Sequence, residues 1–355
     1  MSRYVAYVSS YTKDNKYGIS IYDVDTRKGR FAEKGHVVVS NSSYVTISHN
    51  RKYLYSITDL GVESFKVKPD GSLKQLNLGS INGMRGCYLS TSYDDKFLFV
   101  AGYHDGKITV LKINKDGSVG DISDEIFLKG MGSVAERSFY PHVCCVKMSR
   151  DDKYLFAADL AMDHVNVYEL NHITGKLKLV DIIRSEQESA PRHIKFSKDG
   201  KTLYIVHELK NTIDVYSYDG SGPIPVFEKL QTVPTLNDYH STGTAASCLN
   251  LSEDCKFILA ANAGDNSVAL FRIEKDGTLD KRFCLPISGE YPKDVALFPG
   301  NKHLVSCNNE SDSLTFFTVD VDNGTLIMNG PEMKVMKPNC INFLKLPEPD
   351  EEKTK

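Results

Sequence analysis

The chain has 355 residues, 41% hydrophobic and 25% charged, with 43 basic against 46 acidic side chains and a formal net charge of −3. The two signs are interspersed, which excludes the basic stripe of a nucleic-acid binder and points to a small-molecule partner. No apolar run is long enough to span a membrane, and the opening MSRYVAYVSSYT lacks a basic region followed by a long apolar one, so the expected location is cytoplasmic, with no membrane partner. Eight cysteines, at 87, 144, 145, 248, 255, 284, 307 and 340, show no CxxC and no metal-like spacing and read as buried thiols of a reducing compartment.

The first elements in chain order are the alternating runs RYVAYVSS (3–10) and GISIYDVDTRKGRF (18–31). A hairpin signature then begins to recur. SHNRKYLYSITD starts at Ser48, SYDDKFLFVAGY at Ser92, SRDDKYLFAADL at Ser149, SKDGKTLYIVHE at Ser197, SEDCKFILAANA at Ser252, and the degenerate FPGNKHLVSCNN at Phe298. Each is two apolar runs around a polar turn, followed by another alternating run such as ITVLKINKDGSVG (108–120) or VALFRIEKDGTLD (268–280) and a further short strand. Successive copies start 44, 57, 48, 55 and 46 residues apart, the period of a propeller blade of four antiparallel strands. A seventh blade is assembled from both ends, with CINFLKL (340–346) as the closing strand. The expectation is therefore an all-β, seven-bladed β-propeller over residues 1–346 as a single domain, closed by N- and C-terminal strands. The charged segment 347–355 is expected to be disordered. There is no tryptophan, hence no WD dipeptide, and no kelch-type double glycine.

Folding each hairpin about its turn pairs the residue five before the starting serine with the residue eleven after it. This sets Ser43 against Asp59, Cys87 against Tyr103, Cys144 against Leu160, Arg192 against Glu208, Ser247 against Ala263 and Lys293 against Asn309 at one mouth of the central channel. His142, Asp159, Asp163, His193 and His207 lie close in sequence. The opposite hairpin ends carry ordinary turn chemistry, so the mouth with the charged pairs is the expected functional face. By spacing alone Arg192 and Glu208 read as a cross-strand ion pair contributing roughly 0.2–1 kcal/mol in preference to part of a site.

The runs SSYT with GISIYDVDTRKG, NSSYVTIS (41–48), AGYHDGKITVLKI, ADLAMDHVNVY, and APRHIKF with HEL, taken in order, resemble those of the seven-bladed propeller lactonases, the propeller-type 6-phosphogluconolactonases and the carboxy-muconate cyclases. The resemblance implies a lactone hydrolase of carbohydrate metabolism, on the pentose phosphate route if 6-phosphogluconolactone is the substrate. Its proposed catalytic histidine, arginine and glutamate fall on His142, Arg192 and Glu208. A further family arginine falls on Ala263 and a family glutamate on Ser247, so both are lost. The loss reads either as a neutral structural swap or as an opened pocket. His142 or Glu208 would be the base. Arg192 would bind the oxyanion or a substrate anion, with Lys293, Arg137 and His193 as further candidates for an anionic group. His193, Lys293, Asn309, Asp59, Tyr103 and Asp159 complete the expected substrate-binding set. Neither cofactor nor metal is expected, since Asp59, Asp159, Asp163 and Glu208 are spread over three blades without a compact motif. The expected partner is a small anionic sugar lactone, and the expected state a monomer or weak homodimer. A muconate-type lactonizing cyclase or isomerase and a non-catalytic sugar-acid-binding propeller are the alternative functions.

Overall fold

The computed structural model describes residues 3–12, 17–132 and 139–348, and among these every regular element is a strand. They form seven antiparallel sheets. Blade 1 runs from its innermost strand Pro338–Lys345 through Tyr4–Ser10 and Ile19–Asp25 to Arg30–Val37, so the closing strand lies where the two chain ends were expected to meet. Blades 2 to 7 begin on the innermost strands Val45–Ile47, Tyr88–Thr91, Val143–Met148, Pro191–Phe196, Ala245–Leu251 and Pro292–Leu297, each followed by the next three strands in sequence. Consecutive innermost strands pack against one another round the ring, and Pro338–Lys345 touches those of blades 7 and 2. Blade 7 carries a fifth short strand, Met333–Lys334.

The recurring hairpin folds as one loop used repeatedly. The serine hydroxyl accepts the amide of the residue five further on, at 3.0 Å in Ser48, Ser92, Ser149, Ser197 and Ser252 alike. The residue three after it takes the left-handed conformation, with φ of 61° at Arg51, 54° at Asp95, 58° at Asp152, 77° at Gly200 and 57° at Cys255. Asp and Gly tolerate this region best, which is why the sequence reads as a turn signal there. Asp95 and Asp152 also accept backbone amides from the turn of the preceding blade, at 2.7–3.1 Å, joining adjacent turns.

The register departs from the expected one. In blade 5, Pro191 pairs with His207 and His193 with Val206, so Arg192 is an extra residue, a β-bulge, and Glu208 donates its amide to Ala190 at 2.8 Å. The same slip isolates Cys144, Ser247, Lys293 and, in the closing strand, Asn339. Equal counting failed in two steps: the hairpins already pair one residue out of the expected count below the mouth, as Ile194 with Ile205 shows, and the inner strands of blades 4 to 7 then carry one residue more than their partners. A bulge breaks strict alternation and re-aims its side chain, so the expected opposed pairs Arg192/Glu208, Ser247/Ala263 and Lys293/Asn309 are each out of register.

The core lies between sheets. Where blades 7 and 1 meet, Phe31 packs at ring-centroid distances of 5.1–5.9 Å against Phe298, Phe316 and Phe343, one ring from each of four strands or turns. Phe316 is wholly buried. Phe316→Ala is expected to cost about 3–5 kcal/mol, read as a lowered urea midpoint. A loss below about 1 kcal/mol would mean that the junction adapts around the cavity.

Candidate functional site

The bulged residues form a ring at the upper channel mouth, and most reach to the next blade. Arg192 Nε donates to Ser247 O at 2.8 Å, Ser247 Oγ to Pro292 O, Lys293 Nζ to Asn339 Oδ1 at 3.0 Å and Asn339 Nδ2 to Ser42 O at 2.9 Å. Ser43 and Cys87, at the equivalent positions of blades 2 and 3, continue it, donating to Gly86 O at 2.9 Å and Val143 O at 3.3 Å. One repeat position thus serves both blade cohesion and the lining of the mouth.

Within this ring Arg192 Nη1 is bonded to Glu208 Oε2, although the two are not directly opposed. The Glu208 side chain is only 9% exposed. Burial works against the Arg192 charge, but the Glu208 carboxylate and the nearby Cys144 outweigh it and hold its pKa above the usual arginine range. With Nε on Ser247 and Nη1 on Glu208, Nη2 has no hydrogen-bond partner among the described residues.

His142 is nearly buried, its ring stacked on Tyr103 at 4.3 Å and met edge-on by Tyr140 at 4.7 Å. Its Nδ1 lies 2.6 Å from the backbone carbonyl of Tyr103. A carbonyl only accepts, so the proton sits on Nδ1 and Nε2 keeps its lone pair. Asp159 Oδ1 accepts the backbone amide of His142 at 3.0 Å and those of Ala161 and Met162 at 3.2 and 3.3 Å. Tyr103 and Asp159 therefore both position His142. Asp159 has no exposed surface, and burial raises its carboxyl pKa. It serves the loop beneath the mouth, a correction to its expected substrate contact.

The remaining expected residues divide. Lys293 stands at the mouth, 3.1 Å from Tyr11 Oη and 4.5 Å above that ring. Asn309 instead ties two strands together through Pro338 O and Asn339 Oδ1, both at 3.1 Å. Asp59 is half exposed and paired with Arg85 at 2.8 Å. His193 is corrected as an anion-binding cation. Burial first, then Arg192 and Lys195, pushes its pKa well below the usual histidine value, and Nδ1 accepts from Leu249 N at 3.3 Å. It is a neutral wall residue beside Tyr88. Arg137 lies outside the described residues. The four carboxylates weighed as a metal set are engaged separately: Asp59 with Arg85, Asp159 and Asp163 with backbone amides, Glu208 with Arg192.

Ala263 pairs with Ala245, and both Ala263 and Ser247 are buried, which fits the neutral swap. All eight cysteines are free thiols. Burial pushes Cys87 up to about 12 and Cys144 well above its ordinary value, so neither offers a thiolate at the mouth. Sequence reasoning missed Tyr11, Arg85 and Tyr291. Arg85 stacks over Tyr11 at 5.1 Å, and Tyr291 acts electrostatically on Arg192. All three lie in connections outside the repeated hairpins, where counting from the serines gave no position.

Deeper in the channel, Tyr44, Tyr88 and His193 are in contact, with ring centroids 4.3 and 5.3 Å apart. Asp294 is buried nearby, its carboxylate accepting Ile341 N at 2.9 Å and Val295 N at 3.1 Å. Burial pushes it up to about 6, against the lowering effects of Ile341 N and Lys195. The unfolded carboxyl ionises near 4, so the unfolded chain loses this proton first and stability falls as pH rises from about 4 to about 6. The loss is roughly 3 kcal/mol. His49, pushed down to about 4, acts with the opposite sign over much of the same range. Asp294→Asn isolates the carboxyl contribution: the wild type should lose stability relative to the variant between pH 4.5 and 6.5 in urea titrations. Parallel pH dependences would contradict it.

The chain matches the family described as "Lactonase, 7-bladed beta-propeller" over residues 5–343. It is 29% identical to a 6-phosphogluconolactonase of Bacillus subtilis over 97% of this chain and 99% of that one. It is 27% identical to a 6-phosphogluconolactonase of Formosa agariphila over 90% and 94%. A solved periplasmic gluconolactonase of Pseudomonas aeruginosa superposes with a TM-score of 0.89 at 27% identity, covering 97% of this chain and all of that one.

Proposed function

Because the chain belongs to the lactonase family of seven-bladed β-propellers, we propose that it hydrolyses a sugar lactone at the upper channel mouth, with 6-phosphogluconolactone the first substrate to test. The observation that carries this reading is the Nδ1 bond from His142 to Tyr103 O, which leaves Nε2 as a positioned base. Glu208 is committed to Arg192, so of the two candidate bases His142 is the one we assign. In this mechanism Nε2 takes a proton from water as the oxygen bonds to the carbonyl carbon. The tetrahedral oxyanion is met by Arg192 Nη2. The ring C–O bond then breaks, and the proton held on His142 passes to the leaving alkoxide, giving the open hydroxy acid. Lys293 and Arg85, which both lie against the Tyr11 ring, supply the charge for a phosphate or carboxylate group on the substrate. Names of relatives support the substrate class. The test is a panel of aldonolactones with and without a phosphate, each corrected for spontaneous opening. Preferential turnover of the phosphorylated ring is the expected result, and rates equal to the uncatalysed ones throughout would overturn the reading.

A further inference from the structure

The opposite end of the channel holds a cavity of about 370 Å³, bordered by residues of all seven blades and rich in cations: Arg51, Lys147, Arg150, Lys195 and Lys345, against the single carboxylate Glu253. Lys147 and Lys195 sit two residues before the starting serines of neighbouring blades, so one repeat position places two ammonium groups side by side on adjacent inner strands. Lys147, Lys195, Arg150 and Arg51 form no salt bridge with a carboxylate among the described residues. Glu253 instead receives the Tyr4 hydroxyl at 3.3 Å. Arg150 lies over the Tyr93 ring at 5.6 Å, and that ring stacks on His49 at 4.1 Å, giving the cavity a fixed aromatic and cationic side.

Unpaired like charges gathered in a concave site raise the energy of the empty protein, and a multiply charged anion removes that cost. We propose that this lower mouth is a second binding site, for a small phosphate-bearing anion, separate from the mouth that carries His142. The cavity suits a small phosphate ester in size, and three donors on each lysine with the planar fork of Arg150 match phosphate oxygens. The contact of Tyr44, Tyr88 and His193 lies in the channel wall between the two ends. Lys147 reports the excess of charge: burial first, then Lys195 and Arg150, pushes it down to about 8, with only Cys145 opposing. Burial first, then Lys147, lowers the pKa of His49, against the raising effect of Asp95.

The probe is inorganic pyrophosphate, titrated calorimetrically at pH 8 and low salt in two buffers of different ionisation heat. Saturable binding with proton uptake is expected, because an arriving anion re-protonates Lys147. Lys147→Gln/Lys195→Gln should weaken binding by about tenfold or more and remove the uptake, whereas Lys293→Gln, which removes the upper-mouth cation, should leave both unchanged. The double variant removes a repulsion, so its melting temperature should be no lower than that of the wild type, and Arg150→Gln offers a single change on a turn should it misfold. No saturable binding, or equal binding by wild type and both lower-mouth variants, overturns the proposal. Loss of binding in Lys293→Gln overturns it too, by placing the anion at the upper mouth.

Discussion

His142→Gln is expected to lower kcat for lactone opening by about 10²–10⁴-fold with little change in KM or in melting temperature. The glutamine amide reaches the place of Nε2, one atom beyond the Nδ1 that lies 2.6 Å from Tyr103 O, and has no nitrogen lone pair to act as a base there. Because Tyr103 and Asp159 hold the histidine from its far side, the backbone loop should stay in place. A variant retaining more than about a tenth of the activity would shift the base assignment to Glu208.

The second large effect concerns Arg192 and Glu208. Removing Arg192 as Arg192→Met takes the Nη1 bond from a carboxylate that is 9% exposed and deletes the bond to Ser247 O, one of the links between blades 5 and 6. Stability should fall by about 1.5–3 kcal/mol and activity should be lost. The paired change Arg192→Met/Glu208→Leu restores apolar packing and should recover most of the stability without restoring turnover. This separates the two readings that spacing alone left open. If the double variant recovered turnover as well, the pair would be structural only. If Arg192→Met were as stable as the wild type, the ion pair would be worth no more than an exposed one.

Much of this was legible in the sequence because the blade repeats. The serine-initiated hairpin, the seventh blade made from both ends and the gathering of Arg192, Glu208 and Lys293 at one end follow from patterns within single repeats. The bulge at Arg192, and those at Cys144, Ser247, Lys293 and Asn339, left no mark in residue type, since a bulge is a property of hydrogen-bond pairing. His193 and Asp159 were misjudged because nearness in sequence to a mouth residue says nothing of depth, and one residue along a strand exchanges solvent for wall. The cations of the lower mouth went unnoticed for a different reason. Lys147 and Lys195 each look like an ordinary exposed strand residue, and only superposing neighbouring blades sets them side by side.

Asn339 gives the closing strand a further consequence. It bonds Lys293 on one side and the Ser42 carbonyl on the other, so the upper ring is completed by a residue near the end of the chain. At roughly 5–20 residues per second, the ribosome makes the first six inner strands well before that residue emerges. Until it does, Tyr4–Ser10 waits as an unpaired edge and Lys293 lacks its anchor. A nascent or truncated chain therefore carries every proposed catalytic side chain without a finished mouth to hold them, and competence should arrive in a single late event, with no gradual gain during synthesis.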